Sequence, residues 1–167
     1  MRRLFLMACA ICATMVFGST AYAQQPAAPP APPPYGPAVT IEQAKKAVAA
    51  ALAVATKTPY LYVFAVVDPT GSLVYFERMD GALYASNEIA IRKARTAAMF
   101  KRPSGDFFNA MEHGHPFVAT LSPDLAASIG GIPLEVDGKI IGAIGVSGSP
   151  SGPTDLPPAQ AGADALK

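Results

Sequence analysis

The chain has 167 residues, 51% of them hydrophobic and 15% charged, with two cysteines, two histidines and no tryptophan. A formal net charge of +1 gives no electrostatic ground for nucleic acid or an anionic membrane surface as a partner. Both cysteines, Cys9 and Cys12, lie in an apolar leader, so cleavage would leave no disulfide, no thiolate nucleophile and no Cys-based zinc site.

That leader comes first. Arg2 and Arg3 precede the apolar run LFLMACAICATMVF, and AYA ending at Ala23 fits the small-residue cleavage rule. The run is too short and too weakly flanked for a good membrane span. Residues 1–23 are therefore expected to be a signal peptide, and the mature protein periplasmic or secreted with no membrane span. The opening RRLFL leaves both the general and the twin-arginine export routes open. Thirteen basic residues less Arg2 and Arg3 leave 11 against 12 acidic ones, a mature net charge of −1. Residues 24–38, QQPAAPPAPPPYGPA, read as a disordered Pro/Ala linker, because repeated proline favours extended polyproline II. Residues 39–167 remain for one domain.

Thr40 with Gln43 three residues on predicts a capped helix start, and Ile41, Ala44, Val48, Ala51, Leu52 and Ala55 give it an apolar stripe. YLYVFAVV (60–67) and SLVYFER (72–78) flank DPTG (68–71), which predicts a hairpin. Ser86 is the expected N-cap of a second helix that ends before Pro103. PFVAT (116–120) is expected to be a strand, with a short helical piece near PDLAAS. IPLEV and KIIGAIGVS flank Asp137 and Gly138, a two-residue hairpin turn. Thr154 or Asp155 is expected to cap a last helix. Helix, hairpin, helix, strand, hairpin, helix is an α+β order built on an antiparallel sheet, and it argues against a doubly wound nucleotide fold.

Four features carry chemistry. Gly142, Gly145 and Gly148 recur every third residue, which is not a dinucleotide or phosphate-loop pattern; close packing or approach of a ligand would each require them. Arg92, Lys93, Arg95, Lys101 and Arg102 form a basic cluster, with Arg92, Arg95, Met99 and Arg102 on one helical face. It is either a solvated face or a site for carboxylates, which guanidinium groups bind in pairs of hydrogen bonds. Glu77, Arg78 and Asp80 gather at a strand end as an ion-pair cluster or a pocket rim. His113 and His115, in AMEHGHPF, are either ligands for a metal or heme iron or polar residues of a turn, since Gly114 and Pro116 disfavour a regular strand there.

FERMDGA (76–82), IAIRKARTAAMF (89–100), GGIPLEVDGKIIGAIGVSG (130–148) and Asp155 before AQAGADAL resemble the GlcG/HbpS family of heme-binding or heme-degrading proteins. The resemblance implies a profilin-like or PAS-like α+β sandwich with an antiparallel five-stranded sheet and packed helices, assembling as a homo-oligomer. It places Arg78, Asp80, Lys93, Thr96, Gly130 and Gly131 in recurrent motifs as pocket candidates. His113 and His115 depart from the family pattern.

The function that follows from resemblance and leader together is an exported heme-binding protein, sequestering heme or degrading it slowly. Heme is the expected cofactor, and no metal is expected beyond its iron. His113 and His115 are the candidate ligands, with Tyr84, Met79 and Met99 as further donors, and Arg92 and Arg95 would pair with the propionates. The alternatives are an enzyme or sensor for a small organic acid, with Arg78 or Lys93 on the carboxylate and Asp80 as acid or base, and an oligomeric scaffold without a small ligand.

Overall fold

A computed structural model describes residues 31–167. The expected leader and the first part of the Pro/Ala stretch lie outside the described residues. The end of that stretch is docked on the domain: Ile140 N–H donates to Pro34 O (2.9 Å), and Gly36 and Val39 N–H donate to Ile140 O and Ile141 O (2.8 and 2.7 Å). Tyr35 forms a parallel bridge with Ile140, so the folded body begins about five residues before the composition change.

Helix α1, Ile41–Ala55, starts in the expected capping box, with Thr40 Oγ1 accepting from Gln43 N–H and Gln43 Oε1 from Thr40 N–H. Strands β1, Val63–Val67, and β2, Leu73–Arg78, make the first hairpin. Its turn is held by the Asp68 carboxylate, which accepts from Thr70 N–H and Ser72 N–H. Helix α2 runs Ala85–Phe100. Ser86 is not its cap, because its N–H already bonds Leu83 O and its side chain is buried inside the first turn. Lys101 takes a left-handed conformation (φ 55°) and turns the chain out of the helix, so Arg102 does not continue the α2 face.

Helix α3, Gly105–Glu112, leads into Pro116–Thr120. That segment is a 3-10 turn where a strand was expected. Val118 N–H bonds His115 O and Leu121 N–H bonds Val118 O, a three-residue repeat that leaves no alternating face, and only Val118 is buried. PDLAAS forms a turn at residues 123–124 and no helix. Strands β3, Gly131–Val136, and β4, Lys139–Ser147, form the second hairpin, with Asp137 at φ 51° and Gly138 at φ 70° as its turn type demands. Helix α4, Gly152–Asp164, has its N-cap at Ser151, about one turn ahead of the expected cap: Thr154 N–H and Oγ1 both bond Ser151 O, and Asp155 is turned inward.

The sheet order is β2-β1-β4-β3, all antiparallel, with four strands; the fifth expected strand is the 3-10 turn. Helices α1 and α4 cover one face through Ala47, Val48, Ala51, Ala159 and Ala163 against Phe64, Val66, Ile144 and Val146. Helix α2 covers the other, placing Ala90, Ala94, Ala97 and Ala98 over Val63, Ala65, Val67 and Ala143. A Cβ at Gly145 would run into the Ala90 carbonyl, and one at Gly148 into Leu61, so these two glycines permit close backbone packing. Phe107, Val118 and Leu125 seal the α3 end as a small separate core.

Candidate functional site

The most constrained polar arrangement lies between α2, β4 and α4. Lys93 Nζ sits 2.6 Å from Asp155 Oδ2 and donates a second hydrogen bond to Val146 O (3.1 Å). The other carboxylate oxygen accepts from Ser149 N–H (3.1 Å) and Ser149 Oγ (2.7 Å). Both side chains are almost wholly buried, and burial pulls the Lys93 ammonium below its ordinary value, with the charge and hydrogen bond of Asp155 pulling the other way.

Gly130 and Gly131 pass over this pair. A Cβ on Gly130 (φ 122°) would strike Val146 O and press on Asp155 and Lys93 Nζ, and one on Gly131 would strike the Lys93 carbonyl. The glycine pair is thus required chiefly by the Val146 and Lys93 carbonyls that it crosses. Ser104 then ties the start of β3 to the α2–α3 connection: its N–H donates to Gly131 O (3.0 Å) and its Oγ accepts from Gly131 N–H (2.9 Å).

Above the glycines opens a cleft of about 290 Å³. Ile129, Ile132 and Leu156 give it apolar walls, while Asp106 and Asn109 on α3 and Gln160 on α4 bring polar groups. A second depression, about 210 Å³, continues along β3 and shares Pro103, Ile132 and Gln160 with the first. It is lined further on by Lys101, Arg102 and Lys167, with Glu135. The two form one open groove beside the β3 edge. Pro133, which lacks an N–H, keeps that edge from pairing with another strand.

His113 closes α3 four residues after Asn109, so Asp106, Asn109 and His113 follow one another on one helical face. Its Nδ1 lies 2.6 Å from Asn109 O. A carbonyl oxygen can only accept, so Nδ1 is the donor in this contact and Nε2 is the nitrogen left for another partner. His115 is exposed too, with its ring edge-on to Phe117 at 6.0 Å between centroids.

The remaining sequence candidates do not converge on this groove. Arg92 spends its guanidinium on the carbonyls of Pro123 (2.7 Å), Leu125 (3.3 Å) and Asp124 (3.4 Å), and Arg95 Nε donates to Gly71 O (3.1 Å). Arg92 thus holds a loop and Arg95 the first hairpin turn, and neither lines the groove. Thr96 Oγ1 accepts from Ala126 N–H and fastens the same loop. Arg78 stacks over Tyr84 at 5.0 Å, exposed at the end of β2, and Asp80 is exposed nearby, while Lys93 is buried with Asp155. The three residues of the small-acid reading therefore share no cavity. Met79 Sδ is taken by Tyr62 N–H (3.3 Å).

The groove residues the sequence did not single out are Asn109 and Gln160, whose amides carry no motif. Lys101 and Arg102 belong to the basic cluster, but the spacing puts Arg102 on the Arg92 and Arg95 face, because the left-handed turn at Lys101 is not written in a periodicity.

An antiparallel sheet covered by helices on both faces, with an open polar-and-apolar groove along one edge, defines an α+β sandwich. The model of the family described as "Haem degrading protein HbpS-like" matches residues 39–164, and the chain belongs to that family. It is 36% identical over 106 residues to Protein GlcG of Escherichia coli K12, covering 64% of this chain and 78% of that protein. Among solved structures, a double mutant of Streptomyces reticuli HbpS superposes with a TM-score of 0.72 at 33% identity, covering 87% of this chain and 99% of that one. A PduOC:heme complex superposes with a TM-score of 0.71 at 28% identity, covering 78% and 96%.

Proposed function

We propose that this is an exported heme-binding protein that holds the tetrapyrrole on its surface with His113 as the iron ligand. The observation that carries the reading is the hydrogen bond from His113 Nδ1 to Asn109 O, which turns the ring so that Nε2 is the nitrogen left for iron on an exposed residue. A backbone carbonyl on one ring nitrogen is the usual device that fixes which nitrogen meets a metal. Family membership and the likeness to a heme complex support the ligand class. Bound heme would supply an iron centre that His113 would ligate, and with it the redox and ligand-binding chemistry of that iron.

The residues present fit such a group on an open surface. A cleft of about 290 Å³ lies at the small end of enclosed ligand pockets, which begin near ~300 Å³. Heme would lie along the groove, against Ile129, Ile132 and Leu156. The groove supplies apolar contact, amides and cations, the functions of holding a ligand, so sequestration is favoured over degradation. Export rests on the leader: a mature chain beginning at Gln24 is expected in the periplasmic or culture fraction.

Hemin added to the purified domain should give a shifted Soret band. His115→Ala should keep that spectrum, and His113→Ala should lose at least ~10-fold in affinity, the lower range for disturbing a metal ligand's environment. If His113→Ala matches wild type in both spectrum and affinity, iron ligation by His113 is wrong.

A further inference from the structure

Neither Arg92 nor Arg95 lines the groove, so the anionic edge of a tetrapyrrole lying there must find its partners elsewhere. We infer that Lys101 and Arg102, which line the second depression of the groove, form a carboxylate-binding pair that receives the two propionates. The inference rests on the heme reading above and adds an orientation to it.

Three observations support the pair. First, among the described residues the only ion pairs are Lys93 with Asp155 and Lys167 with Asp164, so neither Lys101 nor Arg102 has a carboxylate partner. Second, both are nonetheless positioned. The Lys101 ammonium rests over the Tyr35 ring at 4.1 Å and the Arg102 guanidinium over the Phe107 ring at 4.1 Å. Cation–π contact restrains a side chain while leaving its N–H donors available. Tyr35 is itself fixed, since its hydroxyl donates to Ala98 O (3.0 Å). Third, the two cations line the same depression, which joins the cleft through Pro103, Ile132 and Gln160. The left-handed turn at Lys101 makes this possible by carrying two adjacent cations off the helix onto one groove wall.

The opposing charges in this depression are few. Glu135 lines it, and Lys167 is held by Asp164 at 2.6 Å. Lys101 and Arg102 therefore outweigh Glu135 in this depression, while Asp106 lines the adjoining cleft. A planar dianionic tetrapyrrole would place its carboxylates at the basic end and its iron toward α3.

The test compares hemin with hemin dimethyl ester, whose carboxylates are masked, on the full mature chain. Soret titrations would be run on wild type, on Lys101→Gln/Arg102→Gln and on the charge-preserving Lys101→Arg/Arg102→Lys. Wild type is expected to prefer hemin over the ester by about tenfold or more, as lost charge-assisted hydrogen bonds would produce. The glutamine double variant should bind both ligands alike with an unchanged Soret position, because the iron ligand is elsewhere. The charge-preserving variant should retain the preference, which separates charge from any loss of fold.

Two results overturn the inference while leaving heme binding intact. Wild type could bind hemin and its ester equally, or the folded glutamine variant could keep the full preference for hemin. A wild-type spectrum identical to free hemin with both ligands would instead remove the heme reading itself, and this orientation with it.

Discussion

Lys93 and Asp155, 62 residues apart in sequence, meet 2.6 Å apart under Gly130, with side chains only 2% and 4% exposed. Each holds a different strand end or loop: the ammonium bonds Val146 O and the carboxylate bonds Ser149. Removing one partner leaves an uncompensated buried charge, which costs about 3–5 kcal/mol. Lys93→Met and Asp155→Leu should each lower the denaturant midpoint sharply, and the double variant should recover much of the loss. A double variant no better than the worse single would show that the two residues are not acting as a pair.

The same pair sets a pH dependence. Burial draws the Lys93 ammonium below its ordinary 10.5, against the opposing pull of Asp155. In the interval just below 10.5 the unfolded chain therefore binds more protons at this site than the native protein does. Linkage then makes the unfolding free energy rise with pH across that interval. Denaturant melts should show wild type gaining on Lys93→Met/Asp155→Leu as pH is raised toward 10.5, since the double variant has nothing to titrate there. A gap that narrows with rising pH would reverse the sign and refute the assignment.

Gly145 and Gly138 should respond unequally to the same added methyl. At Gly145 a Cβ would run into the Ala90 carbonyl and crowd Ala94, so α2 must lift from the sheet. Overpacking of this kind costs about 1–3 kcal/mol and more where the obstacle is backbone. At Gly138 (φ 70°) nothing lies within 4 Å, and only the left-handed strain remains, about 1–2 kcal/mol. Thermal melts of Gly145→Ala and Gly138→Ala should therefore differ by several degrees, with Gly145→Ala the less stable.

Much of the frame was legible because it is local. The capping box at Thr40, the turn at residues 68–71 and the positive φ pair at Asp137 and Gly138 all follow from neighbouring residues, and all appear where expected. PFVAT fails because β propensity needs a partner strand. In this fold the start of β3 is bonded instead to Ser104, and Pro133 closes the edge beyond it. The site was less legible still. The depth of Lys93, the inward turn of Asp155 and the commitment of Arg92 are properties of residues 31 to 62 positions away, which no spacing rule reports. The two histidines show the limit best: their separation said little, while one carbonyl at Asn109 distinguishes them.

Arg92 offers a test that separates loop anchoring from ligand binding. Its guanidinium donates to three successive carbonyls, those of Pro123, Asp124 and Leu125, beside Thr96, which receives Ala126 N–H. Hydrogen bonds to a charged donor contribute about 1.5–3 kcal/mol when buried, and this side chain is half-buried, so the lower figure applies. Arg92→Ala should lower stability by roughly 1–2 kcal/mol and speed amide exchange at Leu125 and Ala126. Arg92→Lys should recover little, because an ammonium cannot span three carbonyls with the geometry of a planar fork. Hemin affinity, measured on the same two variants below their melting range, should stay within about twofold of wild type, since additive effects are expected for a site without shared partners. A tenfold loss of hemin affinity in both variants, with amide exchange unchanged, would return Arg92 to the ligand and take it from the loop.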